Sequence, residues 1–267
     1  MKSEPPSPFR PSVVPSQLQW HLLLEPAGRS GPENMALDSA LLAEVNRTGR
    51  AFLRLYRFDP PCLSFGRHEP ARSRYDRAAI ARLGIEVVRR PTGGRAVWHE
   101  HEVTYAVVMP VAGVARLRDS YRAIHARLAA ALRRLGADAT LASDRPRPPS
   151  ITLDHPSPCF ATSVGGEVLV DGRKLVGSAQ LREGTALLQH GSILLDGSQE
   201  MVRRVSREQG AGSRETTLSA VLRRPVSFAE VAAAIVAAWD IGPSPSFPVL
   251  PCPSPSAFLD PAWTWRR

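Results

Sequence analysis

The Asp171–Gly172 pair constrains the fold more than any other feature of this 267-residue sequence. It separates two apolar-rich runs, EVLV at 167–170 and RKLVGSAQ at 173–180. Asp-Gly between such runs is the strongest short-range signal for a two-residue hairpin turn. In that register Leu169 faces Lys174, and the side chains of Lys174 and the residue before it point to opposite sides of the sheet.

Other strands and helices can be predicted around this hairpin. Alternating or apolar runs predict strands at AFLRLYRF (51–58), IEVVRR (85–90), EVTYAVVMP (102–110) and ALLQHGSILLD (186–196). Helices are predicted after Pro32, over about 120–135 with Gly136 as the stop, and after a capping-box pattern of Ser227 and Glu230. Hairpins combined with flanking helices indicate an α+β fold with a mixed or largely antiparallel sheet.

Proline and serine mark both ends of the predicted folded body. Residues 1–16 and 242–256 are rich in these residues, which favours disorder in the first and excludes a helix or central strand from the second. We therefore predict a disordered tail at 1–16, one catalytic domain at 17–241 and a Pro/Ser-rich tail at 242–267. The closing WTWRR is a candidate for a docked end of that tail.

Composition narrows the function classes. No run of eighteen apolar residues occurs, which predicts a soluble cytoplasmic protein without a membrane partner. The formal charge of +9 invites a nucleic-acid partner, but the arginines are spread along the chain and no binding motif accompanies them. An acidic protein partner fits the same charge. Three widely separated cysteines predict neither a disulfide framework nor a zinc site, and His99 with His101 lacks a third ligand, so no metal is expected.

Lysine is almost absent from the chain. Of 34 Lys plus Arg, only Lys2 and Lys174 are lysines, leaving 34 − 2 = 32 arginines. A genome rich in G and C would produce this bias without a functional cause. Lysine differs chemically, however, because its ammonium is a compact charge whose pKa can be tuned, whereas guanidinium stays protonated. Lys174 is therefore a candidate for chemistry.

A Gly-Gly loop is the first candidate site. In RRPTGGRAVWHE (89–100) the paired glycines would let backbone amides approach a ligand, and Arg89, Arg90 and Arg95 would suit a carboxylate or phosphate. Most Thr-Gly-Gly sequences are only turns. The loop is neither a P-loop nor a dinucleotide fingerprint, because the glycine and lysine spacing of both is absent.

A loop cysteine is the second candidate. Cys159 lies in a polar, proline-containing stretch, although a lone cysteine is more often a small buried apolar residue. A nearby cation would lower its pKa and expose the nucleophilic thiolate, and Lys174 follows 174 − 159 = 15 residues later on the predicted hairpin. In the neighbouring QHGS, His190 is a pocket or structural residue, as is His99.

Together these stretches resemble lipoate-protein ligase A-type enzymes, and most of all the cysteine-dependent octanoyl-carrier-protein:protein octanoyltransferases. The resemblance covers about 17–205 and rests on NMALDSALL (34–42), LRLYRFDPPCLSFGRHE (53–69), RRPTGGRAVWHEHEVTYAVVMP (89–110), CF (159–160), GRKLVGSAQLR (172–182) and LLQHGSILLD (187–196). It implies a class II synthetase/biotin-ligase-like fold, with a central mixed, mostly antiparallel sheet flanked by helices. The chain departs from the family at Gly165 and Gly166, where bulk near the pocket is missing.

The resemblance also implies roles for individual residues. Cys159 corresponds to the nucleophile that accepts the acyl chain, and Lys174 to the pocket lysine that favours its thiolate. The predicted acyl- and substrate-binding residues are Arg90, Thr92, Gly93, Gly94, Arg95, Ala96, His99, Gly177, Ser178, His190 and Gly191. An apolar slot for the octanoyl chain is expected along the strands at 103–108 and 187–195.

The implied reaction needs no cofactor. A cysteine thiolate takes octanoyl from an acyl carrier protein, and a lipoyl-domain lysine takes it from the cysteine, so ATP is unnecessary. We expect a monomer with two transient acidic partners. The alternatives are an ATP-dependent lipoate-protein ligase, an octanoyl amidotransferase acting between lipoyl proteins, and a non-catalytic basic binding module.

Overall fold

The computed structural model describes residues 18–111, 117–143, 165–208, 215–241 and 253–266. The predicted tail at 1–16 and the candidate nucleophile Cys159 lie outside the described residues, as does Cys252. The described part of the chain contains no helix long and apolar enough to cross a membrane.

The described residues form eleven strands and nine helices. The strands are β1 (Trp20–Arg29), β2 (Ala51–Phe58), β3 (Cys62–Phe65), β4 (Glu86–Arg89), β5 (Val97–His99), β6 (Glu102–Pro110), β7 (Thr140–Leu141), β8 (Val168–Val170), β9 (Arg173–Lys174), β10 (Val176–Glu183) and β11 (Ala186–Leu194). The helices are α1 (Gly31–Thr48), α2 (Ala71–Arg74), α3 (Arg77–Arg82), α4 (Leu117–Arg134), α5 (Glu200–Val205), α6 (Leu218–Leu222), α7 (Phe228–Trp239), α8 (Ser256–Leu259) and α9 (Pro261–Thr264).

A five-stranded sheet of order β1-β2-β6-β11-β10 forms the centre of the fold. Only β1 and β2 are parallel, and the other pairs are antiparallel. Side chains of β6 alternate between two cores: Val103, Tyr105 and Val107 pack with α4 and α7, whereas Ala106 and Val108 pack with α1. Helices on both faces explain why this strand is buried from Glu102 to Met109. The predicted α+β fold with a mixed, mostly antiparallel sheet is confirmed.

The predicted hairpin at Asp171–Gly172 is also confirmed. Both turn residues have positive φ, 50° and 71°, as a two-residue turn of this type requires, and Leu169 pairs with Lys174. The prediction of one strand over 173–180 is wrong, because the chain changes sheets at Leu175. The β9 strand pairs with β8, and β10 then joins the central sheet beside β11.

Helix ends follow local chemistry. Ser30 caps α1 in a reciprocal capping box with Glu33, and proline occupies the first turn as predicted. Ser227 caps α7 by accepting from the Glu230 amide, but the Glu230 carboxylate pairs with Arg224 instead. The predicted capping box at α7 is therefore only half formed.

The C-terminal residues pack against the second sheet, β4-β3-β5. The Arg89 side chain is fully buried and donates to the carbonyls of Trp263 and Thr264, while Trp263 Nε1 donates to the Arg89 carbonyl. Trp265 packs edge-on against Phe65. The predicted docking of WTWRR is thus seen in the structure, and Arg89 serves that contact rather than an anion.

Candidate functional site

Two adjoining cavities lie where the central sheet meets the Gly-Gly loop. The wide cleft has a volume of about 480 Å³ and the narrow cavity about 30 Å³. Ser178 and Ala179 of β10 line both. The wide cleft is bounded mainly by charged, polar and glycine residues, whereas Met35, Tyr56, Phe58 and Val97 give the narrow cavity an apolar wall.

A buried ion pair forms one wall of the wide cleft. Lys174 Nζ lies 2.6 Å from Glu167 Oε1, and each side chain is only 3% exposed. The hairpin register places Lys174 on the inward side of β9, while the neighbouring Arg173 is exposed. The sequence analysis missed Glu167, although it lies two residues before Leu169, the residue opposite Lys174, and so is a diagonal cross-strand neighbour of that inward lysine.

Backbone hydrogen bonds join the two stretches of chain that flank residues 144–164, next to the Lys174–Glu167 ion pair. Gly166 donates from its amide to the Ala142 carbonyl at 2.8 Å, and Ala142 donates in turn to the Glu167 carbonyl at 2.7 Å. Gly165 lines the wide cleft. The segment that carries Cys159 therefore leaves and re-enters the described structure next to Lys174.

Arg90 shapes the Gly-Gly loop from within. Its guanidinium donates to the Gly93 carbonyl at 2.9 Å and to the Arg95 carbonyl at 2.6 Å, and also to Ser64. Gly94 has a φ of +92°, and a Cβ on Gly66 would lie 1.8 Å from the Gly94 carbonyl oxygen. Both glycines are thus required by geometry, and Gly93, Gly94 and Arg95 line the wide cleft.

A hydrogen-bonded relay ties the same loop to helix α1. His190 Nδ1 lies 2.8 Å from Asp38 Oδ2, and His190 Nε2 lies 2.6 Å from Thr92 Oγ1. Burial lowers the pKa of His190, so the neutral ring donates from Nδ1 to the carboxylate and accepts from the Thr92 hydroxyl. Asp38 was not a predicted site residue.

Asp38 remains ionised in the core because cations and donors surround it. Burial opposes ionisation, but the hydrogen bond from His190 and the adjacent Arg54 guanidinium, 2.8 Å away, lower its pKa overall. Tyr56 also donates to this carboxylate at 2.9 Å. Arg54 is itself fully buried and reaches Glu25 on β1. The sequence signal for this cluster was Arg54, a charged residue at an inward position of the mostly apolar strand β2.

His99 forms the polar wall of the narrow cavity. Its Nδ1 lies 2.7 Å from Glu102 Oε1, its Nε2 lies 2.7 Å from Ser64 Oγ, and its ring stacks on Phe58 with centroids 4.0 Å apart. Arg90 Nη1 donates to the same Ser64 hydroxyl at 3.0 Å. These contacts fix the ring at the end of the apolar wall.

Another buried histidine, His125, is bonded to Ser178, which is one of the two residues that line both cavities. Ser178 Oγ lies 2.8 Å from His125 Nε2 and 2.6 Å from the Tyr105 hydroxyl. His125 Nδ1 lies 2.7 Å from the Gly166 carbonyl oxygen. Opposite Ser178, a Cβ on Gly191 would lie 2.5 Å from Ser178 Oγ, which explains a glycine at that position of β11.

Most of the predicted site residues converge on the cavities. Lys174 joins the Gly-Gly loop and Ser178 at the wide cleft, and the narrow cavity is lined by Arg90, His99, Gly177, Ser178, His190 and Gly191. Thr92 holds the loop through His190, whereas Ala96 packs in the core around the second sheet. Of the two predicted slot strands, only Thr104 and residues 190–192 line the narrow cavity, since the apolar side chains there fill the cores.

The described cysteine is unsuited to be a nucleophile. Cys62 is fully buried, and burial together with the nearby Glu86 carboxylate raises the pKa of its thiol well above the ordinary range. Within the described ranges no group of three or more histidine, cysteine or acidic side chains is arranged to hold a metal ion.

Comparison with known proteins finds a family whose model matches most of the chain. Residues 30–240 match the model of the lipoyl protein ligase A/B catalytic domain. Octanoyltransferase LipM of Kyrpidia tusciae is 40% identical over 225 residues, covering 82% of this chain and 81% of that protein. Octanoyltransferase LipM of Carboxydothermus hydrogenoformans is 36% identical over 227 residues, covering 80% and 82%.

Solved structures share the fold. A lipoate-protein ligase A bound with ATP superposes with a TM-score of 0.68 at 23% identity, covering 83% of this chain and 84% of that one. A putative lipoate protein ligase from T. acidophilum with bound lipoic acid gives 0.67 at 22% identity, covering 83% and 85%. At this identity the likeness describes the fold alone, and it confirms the predicted fold family.

Proposed function

We propose that this chain transfers an octanoyl group through a thioester on Cys159. The chain belongs to the lipoyl protein ligase A/B catalytic domain family and is an acyltransferase that moves octanoyl groups in lipoate biosynthesis. In this proposal the donor is an octanoylated acyl carrier protein and the acceptor is a lysine of a lipoyl domain. The observation that supports it most is the position of the buried Lys174. It lies next to the backbone hydrogen bonds that join the two described ends of the chain flanking the segment with Cys159.

Chain connectivity keeps Cys159 within reach of the wide cleft. Gly165 lines that cleft and follows Cys159 by 165 − 159 = 6 residues, which span at most roughly 21 Å when fully extended. Cys62 is enclosed and its thiol pKa is raised, so it does not compete for the role. An ammonium such as that of Lys174 lowers the pKa of a nearby thiol, and Glu167 holds the ammonium in place.

The chemistry proceeds in two steps. The Cys159 thiolate attacks the donor thioester carbon, a new C–S bond forms, and the carrier thiolate departs. A lysine amine of the acceptor then attacks the enzyme thioester, the C–N bond forms, and the Cys159 thiolate leaves. Exchange between thioesters is nearly balanced, whereas amide formation drives the cycle, so we propose that neither ATP nor another cofactor takes part. Gly93 and Gly94 line the cleft, and in this proposal backbone amides of their loop stabilise the oxyanion.

We assign the acyl chain to the narrow cavity. It adjoins the wide cleft at Ser178 and Ala179 and has the apolar wall that an alkyl chain needs. Its present volume of about 30 Å³ is the share of one water molecule in the liquid. Octanoyl entry therefore requires side chains to move, and Met35 is the flexible member of that wall.

The partners follow from charge. A formal charge of +9, with Arg95 and Arg118 lining the wide cleft, favours acidic carrier and lipoyl domains. One solved structure of similar fold is that of an archaeal bi-partite lipoate protein ligase and its E2 lipoyl domain. We propose that the chain acts as a monomer that meets its two protein partners in turn.

A transfer assay tests the proposal against the ATP-dependent ligase. Purified chain is mixed with a lipoyl domain and either octanoyl-carrier protein without ATP or free octanoate with ATP, and the mass of the lipoyl domain is measured. We expect octanoylation only from the carrier protein, lost in Cys159→Ala and retained in the matched Cys252→Ser variant. Octanoylation that requires ATP and persists in Cys159→Ala would instead assign the chain to the ligases. Transfer from another octanoylated lipoyl protein, but not from the carrier, would identify an amidotransferase.

A further inference from the structure

The hydrogen bonds around Ser178 have a single consistent direction. The Gly166 carbonyl can only accept, so His125 Nδ1 carries a hydrogen and donates to it at 2.7 Å. Burial lowers the pKa of His125 to about 4, so the ring is neutral near pH 7 and Nε2 accepts. Ser178 Oγ, at 2.8 Å, is the closer of the two hydroxyls to that nitrogen, and the Tyr105 hydroxyl lies at 3.3 Å.

The hydrogen bonds made by Gln189 and Tyr105 determine the directions of the other hydrogen bonds around Ser178. Gln189 Nε2 donates to the Tyr105 hydroxyl at 2.8 Å, so this hydroxyl passes its own hydrogen to Ser178 Oγ at 2.6 Å. Ser178 therefore accepts from Tyr105 and donates to His125. A serine hydroxyl has one hydrogen and two lone pairs, so one lone pair remains and no hydrogen does. Toward a ligand in either cavity, Ser178 is an acceptor only.

We propose that Ser178 receives an N–H of the primary amine that attacks the acyl thioester, and that His125 acts as the positioning residue that keeps this serine an acceptor. The inference rests on the proposed Cys159 acyl-enzyme. Ser178 suits the role because it lies at the junction of the cleft with Lys174 and the cavity assigned to the acyl chain. One N–H held by Ser178 leaves the nitrogen lone pair to face the carbonyl carbon. The lysine amine is presented by the docked lipoyl domain, whereas water can approach without this contact, so the contact favours aminolysis over hydrolysis.

The step balances without proton transfer to the serine. The amine nitrogen forms the C–N bond while the C–S bond breaks and the sulfur leaves with its electron pair. The surplus proton on nitrogen passes to the departing sulfur directly or through water. Ser178 and His125 keep their protons throughout, which agrees with the weak basicity that burial imposes on His125.

The test is the partition of a preformed acyl-enzyme between transfer and hydrolysis. Full-length chain is acylated with octanoyl-carrier protein, freed of donor, and mixed with a lipoyl domain or with buffer alone, and the loss of the octanoyl adduct is followed by intact mass. We expect Ser178→Ala to lower the ratio of aminolysis to hydrolysis about tenfold, the effect of one hydrogen bond. A general structural defect would slow both reactions and leave the ratio unchanged, and this result would overturn the inference. Ser73→Ala, which changes an exposed hydroxyl bonded to the Pro70 carbonyl, is the matched control.

Two variants of His125 provide a second test if Ser178→Ala fails to fold. Glutamine places an acceptor oxygen near the position of Nε2 and should keep the ratio close to that of the wild type. Asparagine reaches only the position of Nδ1, keeps the donor to Gly166 and loses the acceptor for Ser178, so its ratio should fall. Equal, unreduced ratios in both variants would refute the positioning role. If no octanoyl adduct forms on the wild-type chain, the proposed function fails instead, which separates the two failures.

Discussion

Breaking the Lys174–Glu167 ion pair should destabilise the fold far more than breaking an exposed pair. The two charges lie 2.6 Å apart and each side chain is 3% exposed, so either single replacement buries a charge without its nearest counter-ion. Removing one partner of such a pair costs about 3–5 kcal/mol. For a domain of this size, 1 kcal/mol corresponds to a Tm shift of about 2–4 °C, so we expect Tm to fall by roughly 10 °C in Lys174→Met or Glu167→Gln.

The double variant separates the pair from its surroundings. With both charges removed, Lys174→Met with Glu167→Gln should recover most of the lost stability, because no charge then remains buried without its counter-ion. Transfer activity should stay lost, since the cation that we propose to activate Cys159 is gone. Unfolding in urea followed by circular dichroism gives the coupling energy of the cycle.

The control is the surface pair Arg47–Glu44, in which the Arg47 side chain is 71% exposed. Arg47→Met should change stability by less than about 1 kcal/mol. If the single replacements at Lys174 and Glu167 cost no more than this control, the ion pair is solvated and its burial does not determine its contribution to stability.

Three further predictions concern the cavity, the buried histidine and the C-terminal residues. Met35→Ala should enlarge the narrow cavity and raise the rate with decanoyl relative to octanoyl donors, measured by competition, at a stability cost of about 2–5 kcal/mol. His125 has a folded pKa of about 4 against about 6.5 unfolded, so the unfolded chain binds more protons between these values and acid destabilises the fold. Its share of the loss between pH 7 and pH 5 is about 2 kcal/mol, and His125→Gln should flatten the pH dependence of unfolding by that amount. Trp263→Ala should lower stability by about 2 kcal/mol, because it removes an aromatic contact and a hydrogen bond to the Arg89 carbonyl.

Each of these three predictions would be contradicted by a specific result. Unchanged chain-length preference in Met35→Ala would remove the narrow cavity from acyl binding. Parallel stability curves for wild type and His125→Gln from pH 7 to 5 would mean that this histidine titrates normally. A Trp263→Ala variant as stable as the wild type would indicate that the C-terminal contact contributes nothing measurable to the fold.

Local signals in the sequence predicted the elements that depend on local chemistry. The bounds of β2 and β6 and the turn at Asp171–Gly172 agree with the structure, because alternation and positive φ are properties of short segments. The parallel strand β1 was missed, since its partner β2 lies beyond the whole of helix α1. Strand β3 is only four residues long and was hidden in a proline-flanked stretch.

The candidate site also contains residues that local signals identify and residues that depend on distant contacts. Lys174 and the Gly-Gly loop could be found from residue type alone, whereas their supports come from distant parts of the chain. Asp38 meets His190 across 152 residues, and no local pattern records that contact. Arg90 was expected to bind substrate, but backbone carbonyls occupy its donors, and only the folded loop reveals this.

The thioester on Cys159 can be detected as a change in the intact mass of the chain after incubation with octanoyl-carrier protein in the absence of any acceptor. We predict the addition of one octanoyl group, located on Cys159 by peptide mapping, released by hydroxylamine and absent in Cys159→Ala. A chain that gains no octanoyl group under these conditions, while still octanoylating a lipoyl domain from the same donor, would contradict the thioester mechanism.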